Sequence, residues 1–227
     1  MSLPAPYYER NGITIYCGDC REILPQLTNK VDLVLTDFPY GNGTNYDGYQ
    51  DTPENLQALI QETMLLILSK SKRALITCGV ANITKYPEPD WILAWGTPAG
   101  SGCSKWGFCC WQPILAYGSD PYLAAGLGRR PDLLIKTETA EKLGHPCSKP
   151  IDLWEMVMLR GSIEQTDLIL DPFMGSGTTL VAAKNLGRKC IGIEISEKYC
   201  EIAVKRLSQE VMDFHTLPNL AKELKSE

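Results

Sequence analysis

The sequence lacks the features that mark several common classes of protein. Its 22 lysines and arginines are outnumbered by 27 aspartates and glutamates, which gives a net charge of −5. No global positive field therefore indicates a nucleic-acid partner, although local basic patches remain compatible with one. The longest strongly apolar run, residues 64–68, is far below the roughly 20 residues needed to cross a bilayer. No signal peptide is visible, so we predict a cytoplasmic protein without a membrane partner.

Histidines and paired cysteines are also scarce. The chain has two histidines, and its nine cysteines include one C-x-x-C, at Cys17 and Cys20, with no second pair of matching spacing. An odd number of scattered cysteines is typical of reduced thiols in a cytosolic enzyme. We therefore predict neither a disulfide framework nor a bound metal.

What the sequence does contain is an alternation of short apolar runs and helix-like segments. Strands are predicted at 13–17, 31–36, 74–78, 91–95, 111–117, 133–135, 167–170 and 189–195, and helices at 20–27, 53–69, 150–160, 177–186 and from Ser196 onward. This order is typical of an α/β protein with a parallel sheet. The 227 residues suit a single domain, 1–227, whose least regular part lies around 96–144.

A glycine-rich loop carries the strongest signal. Residues 168–196 run strand, acidic turn, glycine loop, helix, strand and acidic residue. A phosphate-binding loop would need lysine where Thr178 stands, and a dinucleotide fingerprint would need glycine in place of Leu180. Glu194 suits the hydroxyls of a ribose, and Asp171 suits a cation such as an α-amine. A nucleoside that bears an amino acid is S-adenosylmethionine, which we predict as the cofactor.

Four segments resemble the amino-methylating DNA methyltransferases, specific for adenine N6 or cytosine N4, in their permuted (beta) group. IYCGDCREIL resembles the Gly-Asp element, TDFPYG the catalytic D-P-P-Y, HPCSKPIDLWEMVM the H-P-x-x-K-P segment, and DPFMGSGTT the cofactor loop. The resemblance implies a Rossmann-like methyltransferase fold, with a mostly parallel sheet of about seven strands and helices on both faces. It also implies duplex DNA as the partner, with the target base flipped out.

The resemblance leaves the recognition of the target sequence to loops. Those at 41–52, 96–110 and 118–144 are available, and we expect a small target-recognition region around 96–144. A solitary enzyme and the modification half of a restriction pair would look alike, as would a monomer and a homodimer.

The tetrapeptide predicts the catalytic residues. An exocyclic amine is a poor nucleophile, so Asp37 and the carbonyl of Phe38 would accept its two hydrogens and draw the nitrogen towards tetrahedral geometry. Pro39 would fix the turn, and Tyr40 would stack on the flipped base. Where the family usually has proline, Phe38 removes rigidity and adds bulk that could crowd the pocket.

The cofactor residues are predicted in the glycine loop and at a few positions outside it. The expected set is Asp19, Asp37, Lys149, Asp171, Phe173, Gly175, Ser176, Gly177, Thr178 and Glu194. By the resemblance, Asp19 would lie near the adenine and Lys149 near the amino-acid end, although Asp19 is equally suited to cap the following helix. We expect Tyr40 and Gly175 at the carboxyl edge of the same sheet.

Other functions match fewer segments. Carbon-5 cytosine methylation needs a Pro-Cys nucleophile, which Pro146-Cys147 offers, but its paired glutamate motif is absent. RNA or protein amide methylation uses a similar clamp, typically with asparagine first in the tetrapeptide. A DNA-binding protein with impaired catalysis is a third alternative, suggested by Phe38. Asp37 in first position favours adenine N6 over cytosine N4.

Overall fold

The computed structural model describes residues 3–98, 100, 102–104, 106–136 and 149–209. The strands in these ranges are β1 (Tyr8–Arg10), β2 (Ile13–Cys17), β3 (Leu33–Asp37), β4 (Asn45–Tyr46), β5 (Tyr49–Gln50), β6 (Arg73–Thr77), β7 (Trp91–Gly96), β8 (Cys103–Ser104), β9 (Gly107–Phe108), β10 (Trp111–Gly118), β11 (Leu133–Ile135), β12 (Leu168–Asp171) and β13 (Lys189–Glu194). The helices are α1 (Cys20–Ile23), α2 (Pro53–Lys70), α3 (Pro121–Ala124), α4 (Ile151–Gly161), α5 (Thr178–Asn185) and α6 (Glu197–Ser208).

Nine of these strands form one sheet, in the order β1-β2-β13-β12-β3-β6-β10-β7-β11. The strands from β2 to β6 in this order are parallel, whereas β10 is antiparallel to both of its neighbours. The predicted α/β fold with a mostly parallel sheet is confirmed. The sheet exceeds the expected seven strands because three-residue strands extend both edges, and of these only β11 was predicted.

Apolar side chains fill both faces of the sheet. Within β3, Leu33 and Leu35 pack with residues of α4, α5 and α6, whereas Val34 packs with residues of α1 and α2. Successive side chains of a strand point to opposite faces, so a strand covered on both sides is apolar throughout. This arrangement explains the unbroken apolar run of β3 and places helices on both faces.

The helix predicted at 20–27 is interrupted. The structure has α1, which ends at Ile23, followed by a 3₁₀ turn over Leu24–Gln26. Pro25 lacks the N–H that would continue α-helical bonding, so the chain tightens there instead. The helix predicted from Ser196 onward is α6, which has an apolar stripe in the sequence at Tyr199, Ile202, Ala203, Leu207 and Val211; Val211 lies outside the described residues.

The strand order reverses between β3 and β12. The chain passes from β3 through α2 to β6 on one side, and from β12 through α5 to β13 on the other. The carboxyl ends of β3 and β12 therefore border a crevice, which is where open α/β sheets bind ligands. In the part of the chain that the structure describes, no helix is both long and apolar enough to span a bilayer.

Candidate active site

A cavity lies at this switch point, at the ends of β3, β12 and β13. Together with the open solvent at its mouth, the space between its walls is about 990 Å³. All of the predicted site residues line it except Phe38, Tyr40 and Gly177. Segments that are distant in sequence, including 19–21, 37–39 and 171–179, therefore meet at one place.

Asp37 is the last residue of β3, and its carboxylate is held by three donors. Oδ1 accepts hydrogen bonds from the hydroxyls of Tyr40, at 3.0 Å, and Thr77. Oδ2 accepts one from the ammonium of Lys149. The carboxylate is thus oriented at the wall of the cavity by the adjacent strand, by its own turn and by a residue 112 positions away.

Tyr40 does not line the cavity directly, but it is held firmly beside it. Its hydroxyl lies 3.0 Å from Asp37 and 3.1 Å from Oε1 of Gln112, and its carbonyl accepts a 2.8 Å hydrogen bond from Asn82. A Cβ on Gly79 would lie 3.5 Å from the ring, an ordinary van der Waals contact, so the backbone at Gly79 packs beside Tyr40. Burial raises the pKa of Tyr40, which keeps the phenol a neutral donor.

The expectation that Phe38 crowds the pocket is wrong. Its side chain is 1% exposed and its ring packs against Phe173, at 4.5 Å between centroids, and Tyr86, at 5.4 Å. Neighbouring residues of an extended chain point in opposite directions, so an Asp37 that points at the cavity sends Phe38 into the core. The edge-on contact with Phe173 also joins the catalytic turn to the cofactor loop.

Asp171 ends β12 and belongs to a buried polar network. Its Oδ1 accepts from the hydroxyl of Thr36, at 2.6 Å, and from the N–H of Phe173, at 3.1 Å. Its Oδ2 accepts from Thr179, whose oxygen in turn accepts from the indole of Trp154 at 2.7 Å. A carboxylate offers about four acceptor positions, so Oδ2 retains one that a ligand can use. Burial raises the pKa of Asp171 to about 6.

Glu194 ends β13, where a ribose diol was expected to bind. Its two oxygens accept from the backbone N–H groups of Gly175 and Ser196, each at 2.9 Å. Burial raises the pKa of this carboxyl to about 7, and the two N–H groups oppose the rise. Glu194 therefore ties the cofactor loop to the chain that follows β13 and keeps acceptor positions for hydroxyl donors.

The glycine loop is braced by α6, which sequence reasoning did not anticipate. Gly177 has a φ of +80°, and a Cβ there would lie 2.7 Å from the Cβ of Ala203. The absence of a side chain at Gly177 therefore lets the loop pack closely against α6. Arg206, which is buried, donates to the carbonyl of Ser176 at 2.8 Å and to the hydroxyl of Thr178 at 3.2 Å. The signal available in the sequence was an arginine beside the apolar stripe of α6.

Asp19 lies at the cavity and also caps α1. Its carboxylate accepts from the N–H and the guanidinium of Arg21, which holds the pKa of Asp19 below its usual value. Arg21 donates to Glu62 as well and lines the cavity, although it was not predicted. Asp19 therefore caps α1 and lines the cavity, and its role beside the adenine of the cofactor stays a prediction.

Part of the 41–52 loop lies at the cavity. It contains the hairpin of β4 and β5, whose Tyr46 and Tyr49 line the cavity. Asp47 accepts a 2.7 Å hydrogen bond from the hydroxyl of Ser196, and Asp51 holds the N–H of Gly41 at 2.7 Å. The loop is thus fastened both to the residues after β13 and to the catalytic turn.

The cavity is acidic, which suits a cationic ligand. Its lining has five carboxylates, Asp19, Asp37, Asp47, Asp171 and Glu194, and two basic residues, Arg21 and Lys149. A sulfonium and an α-amine are both positive, so the charge of the lining fits the predicted cofactor. Among the described residues, no group of histidine, cysteine or carboxylate side chains is arranged to hold a metal ion.

The comparisons with known proteins agree with this picture of the site. A Rossmann-like sheet with an acidic cavity at its switch point is the class of fold that methyltransferases use. Residues 91–205 match the DNA methylase family of N6- and N4-specific methyltransferases. The match covers 115 of 227 residues, which is just over half of the chain, and the chain belongs to that family.

Two curated relatives are Type II methyltransferases. M.ScaI of Streptomyces caespitosus is 29% identical over 267 aligned positions, which cover 92% of this chain and 86% of that protein. M2.LlaDCHI of Lactococcus lactis subsp. cremoris is 49% identical over 75 residues, covering 32% of this chain and 28% of that protein.

Solved structures show the same fold. The complex of M1.HpyAVI with SAM superposes with a TM-score of 0.63 at 25% identity, over 87% of this chain and 100% of that one. The cytosine-N4-specific PvuII DNA methyltransferase superposes with a TM-score of 0.71 at 17% identity, over 94% and 93% of the two chains. At that identity the second likeness shows the fold alone.

The predicted enzyme class and cofactor are confirmed. The protein is an S-adenosylmethionine-dependent DNA methyltransferase that acts on an exocyclic amino group, N6 of adenine or N4 of cytosine. Carbon-5 cytosine, RNA and protein amide methylation are not favoured, nor is a DNA-binding protein without catalysis. His145, Pro146 and Cys147 lie outside the described residues.

Proposed function

We propose that the protein methylates N6 of adenine in duplex DNA, on a base flipped out of the helix. The Type II methyltransferases among its relatives support a role in restriction–modification. The same proposal places it in the cytoplasm, where its DNA substrate would be found in a bacterial cell. The roles of individual residues given below are part of the proposal.

The observation that carries the proposal is the oriented carboxylate of Asp37 at the wall of the cavity. Hydroxyls from Thr77 and Tyr40 hold one oxygen, so the other points where an amine could donate to it. The carbonyl of Phe38 accepts the second amine hydrogen. Two acceptors in fixed positions localise the nitrogen lone pair, which the ring of the base otherwise delocalises, and aim it at the methyl group.

The cofactor supplies an electrophilic methyl group bonded to a sulfonium. As the nitrogen–carbon bond forms, the sulfur–carbon bond breaks, S-adenosylhomocysteine remains, and one proton of the amine is lost to solvent. The chain holds the ligand through Glu194 at the ribose hydroxyls and through the remaining acceptor of Asp171 at the α-amine. The N–H groups at the start of α5 line the loop beside it.

Adenine is preferred over cytosine for two reasons. In the family that the sequence resembles, aspartate in the first position of the tetrapeptide accompanies adenine more often. In addition, Phe38 is directed into the core, so its bulk does not narrow the space next to Tyr40. The broad ring of Tyr40 can then stack on a two-ring base.

The test is methylation of unmethylated DNA in vitro, followed by mass spectrometry of the nucleosides. We expect N6-methyladenine from the wild type and no product from Asp37→Ala, which removes the side-chain acceptor for the amine hydrogen. Both proteins should bind S-adenosylhomocysteine in calorimetry, because the variant is expected to lose amine activation. N4-methylcytosine as the sole product would overturn the choice of base, and full turnover by Asp37→Ala would overturn the clamp.

A further inference from the structure

Lys149 stands where the proposed mechanism needs the target amine to be. Its ammonium donates to Oδ2 of Asp37 and lies over the ring of Tyr40, 5.3 Å from the ring centroid. Those are the two groups that the target base would use, one for its amino group and one for stacking. The side chains of Lys149 and Asp37 are 10% and 19% exposed, so little water separates or screens the pair.

The other oxygen of Asp37 cannot easily take the amine instead. Thr77 donates to Oδ1, and the hydroxyl of Tyr40, whose one hydrogen serves either Asp37 or Gln112, lies 3.0 Å from the same oxygen. Oδ1 is therefore the more crowded oxygen, and Oδ2 is the side left for a new donor. A base that enters must therefore displace the ammonium of Lys149 both from Oδ2 and from the face of the ring.

The cavity itself indicates what displaces Lys149. The described residues of its lining include two cations, and the guanidinium of Arg21 is already bound to Asp19 and Glu62. A ligand carboxylate that enters this cavity, such as the amino-acid end of the cofactor, finds Lys149 as its available cationic partner. Transfer of the ammonium from one carboxylate to another exchanges one charge-assisted hydrogen bond for another, so it needs little net free energy.

We propose that Lys149 acts as a latch, which blocks the position of the target amine until the cofactor's carboxylate draws the ammonium away from Asp37. The target base is then accepted after the cofactor, and ligand-free protein does not hold a flipped base. This inference rests on the proposed function, since it uses the same clamp. The coupling between cofactor and target base is reciprocal, so each ligand raises the affinity for the other. Because one charge-assisted hydrogen bond is exchanged, the increase is on the order of tenfold to a hundredfold.

The test measures how much the amino group of the target base contributes to the affinity for DNA. Methylome sequencing of cells that express the protein supplies the recognition sequence. Two labelled duplexes then carry either adenine or purine, which lacks the amino group, at the target position. Their affinities are compared by fluorescence anisotropy, without ligand, with S-adenosylhomocysteine, and with 5′-methylthioadenosine, which lacks the amino-acid end. If the methylated base is cytosine, the matched pair is cytosine and 2-pyrimidinone.

In the presence of S-adenosylhomocysteine, the wild type should bind the duplex that carries the amino group more tightly than the duplex that lacks it. Without ligand, or with 5′-methylthioadenosine, the two affinities should be similar. Lys149→Met, of similar length but uncharged, should show the preference without any ligand, whereas Lys149→Arg should still require it. Thermal unfolding checks that the variants are folded.

Equal preference in ligand-free and liganded wild type would overturn the latch while leaving the clamp in place, and it needs no variant. A Lys149→Met protein that depends on ligand as the wild type does would overturn it too. If 5′-methylthioadenosine opens the site as well as S-adenosylhomocysteine, the carboxylate is not the trigger and the inference fails. No preference in any state of the wild type would refute the proposed clamp, and the latch with it.

Discussion

The pKa of Glu194 leads to a prediction about cofactor affinity and pH. Burial raises this pKa to about 7, so near neutral pH half of the ligand-free protein carries a proton on the carboxyl. Hydroxyl donors from a ribose favour the charged form, so bound ligand lowers the pKa of the group. Affinity should therefore be full above pH 8 and decrease as the pH falls through 7, by about tenfold at pH 6.

The assay is isothermal titration calorimetry with S-adenosylhomocysteine at pH 6, 7 and 8. Two buffers with different heats of ionisation at pH 7 should report release of roughly half a proton on binding. Glu194→Gln is the matched control, because it keeps the shape of the side chain and cannot titrate. The affinity of Glu194→Gln for the ligand should be lower than that of the wild type at pH 8 and should not decrease with falling pH as the wild-type affinity does. Any titration of the ligand itself affects both proteins equally.

The same group should lower stability at neutral pH, which provides a check without ligand. The folded protein binds a proton at Glu194 between pH 4.5 and about 7, whereas the unfolded chain does not. The free energy of unfolding therefore falls as the pH rises through this window. Relative to Glu194→Gln, the wild type should lose about 2–3 kcal/mol between pH 5 and pH 8 in urea titrations. An affinity and a stability difference that are both independent of pH would refute the reasoning.

Three further changes test the packing around the site, each by urea unfolding. Phe38→Pro restores the usual tetrapeptide but removes a buried ring, so it should lower the free energy of unfolding by about 3–5 kcal/mol. Phe38→Leu should lower it by less. Gly177→Ala should lower the free energy of unfolding by more than the ~1 kcal/mol that a left-handed backbone costs a residue with a side chain, because its Cβ would also clash with Ala203. Unchanged stability would contradict this contact. Thr179→Val leaves the indole of Trp154 without its acceptor and should cost about 1–3 kcal/mol, whereas Thr179→Ser should be close to wild type.

Local signals predicted much of the fold. Short apolar runs located the longer strands, and the caps and prolines located the starts of helices, since these patterns depend on residues within one turn or one strand. The same local signals do not encode which strands become neighbours. The antiparallel insertion of β10 between β6 and β7 was accordingly not predicted, although both β7 and β10 were recognised as strands.

The sequence by itself determined the elements, the glycine loop, the two acidic strand ends and, through four segments, the family. Only the tertiary structure decided what each side chain touches. It turned Phe38 into the core, placed α6 against Gly177, folded the 41–52 hairpin over the cavity and brought Lys149 onto Asp37. These contacts join residues far apart in the chain, and they exist because the order of strands in the sheet brings their ends to one crevice. Strand order depends on the packing of the whole chain, which no local pattern records.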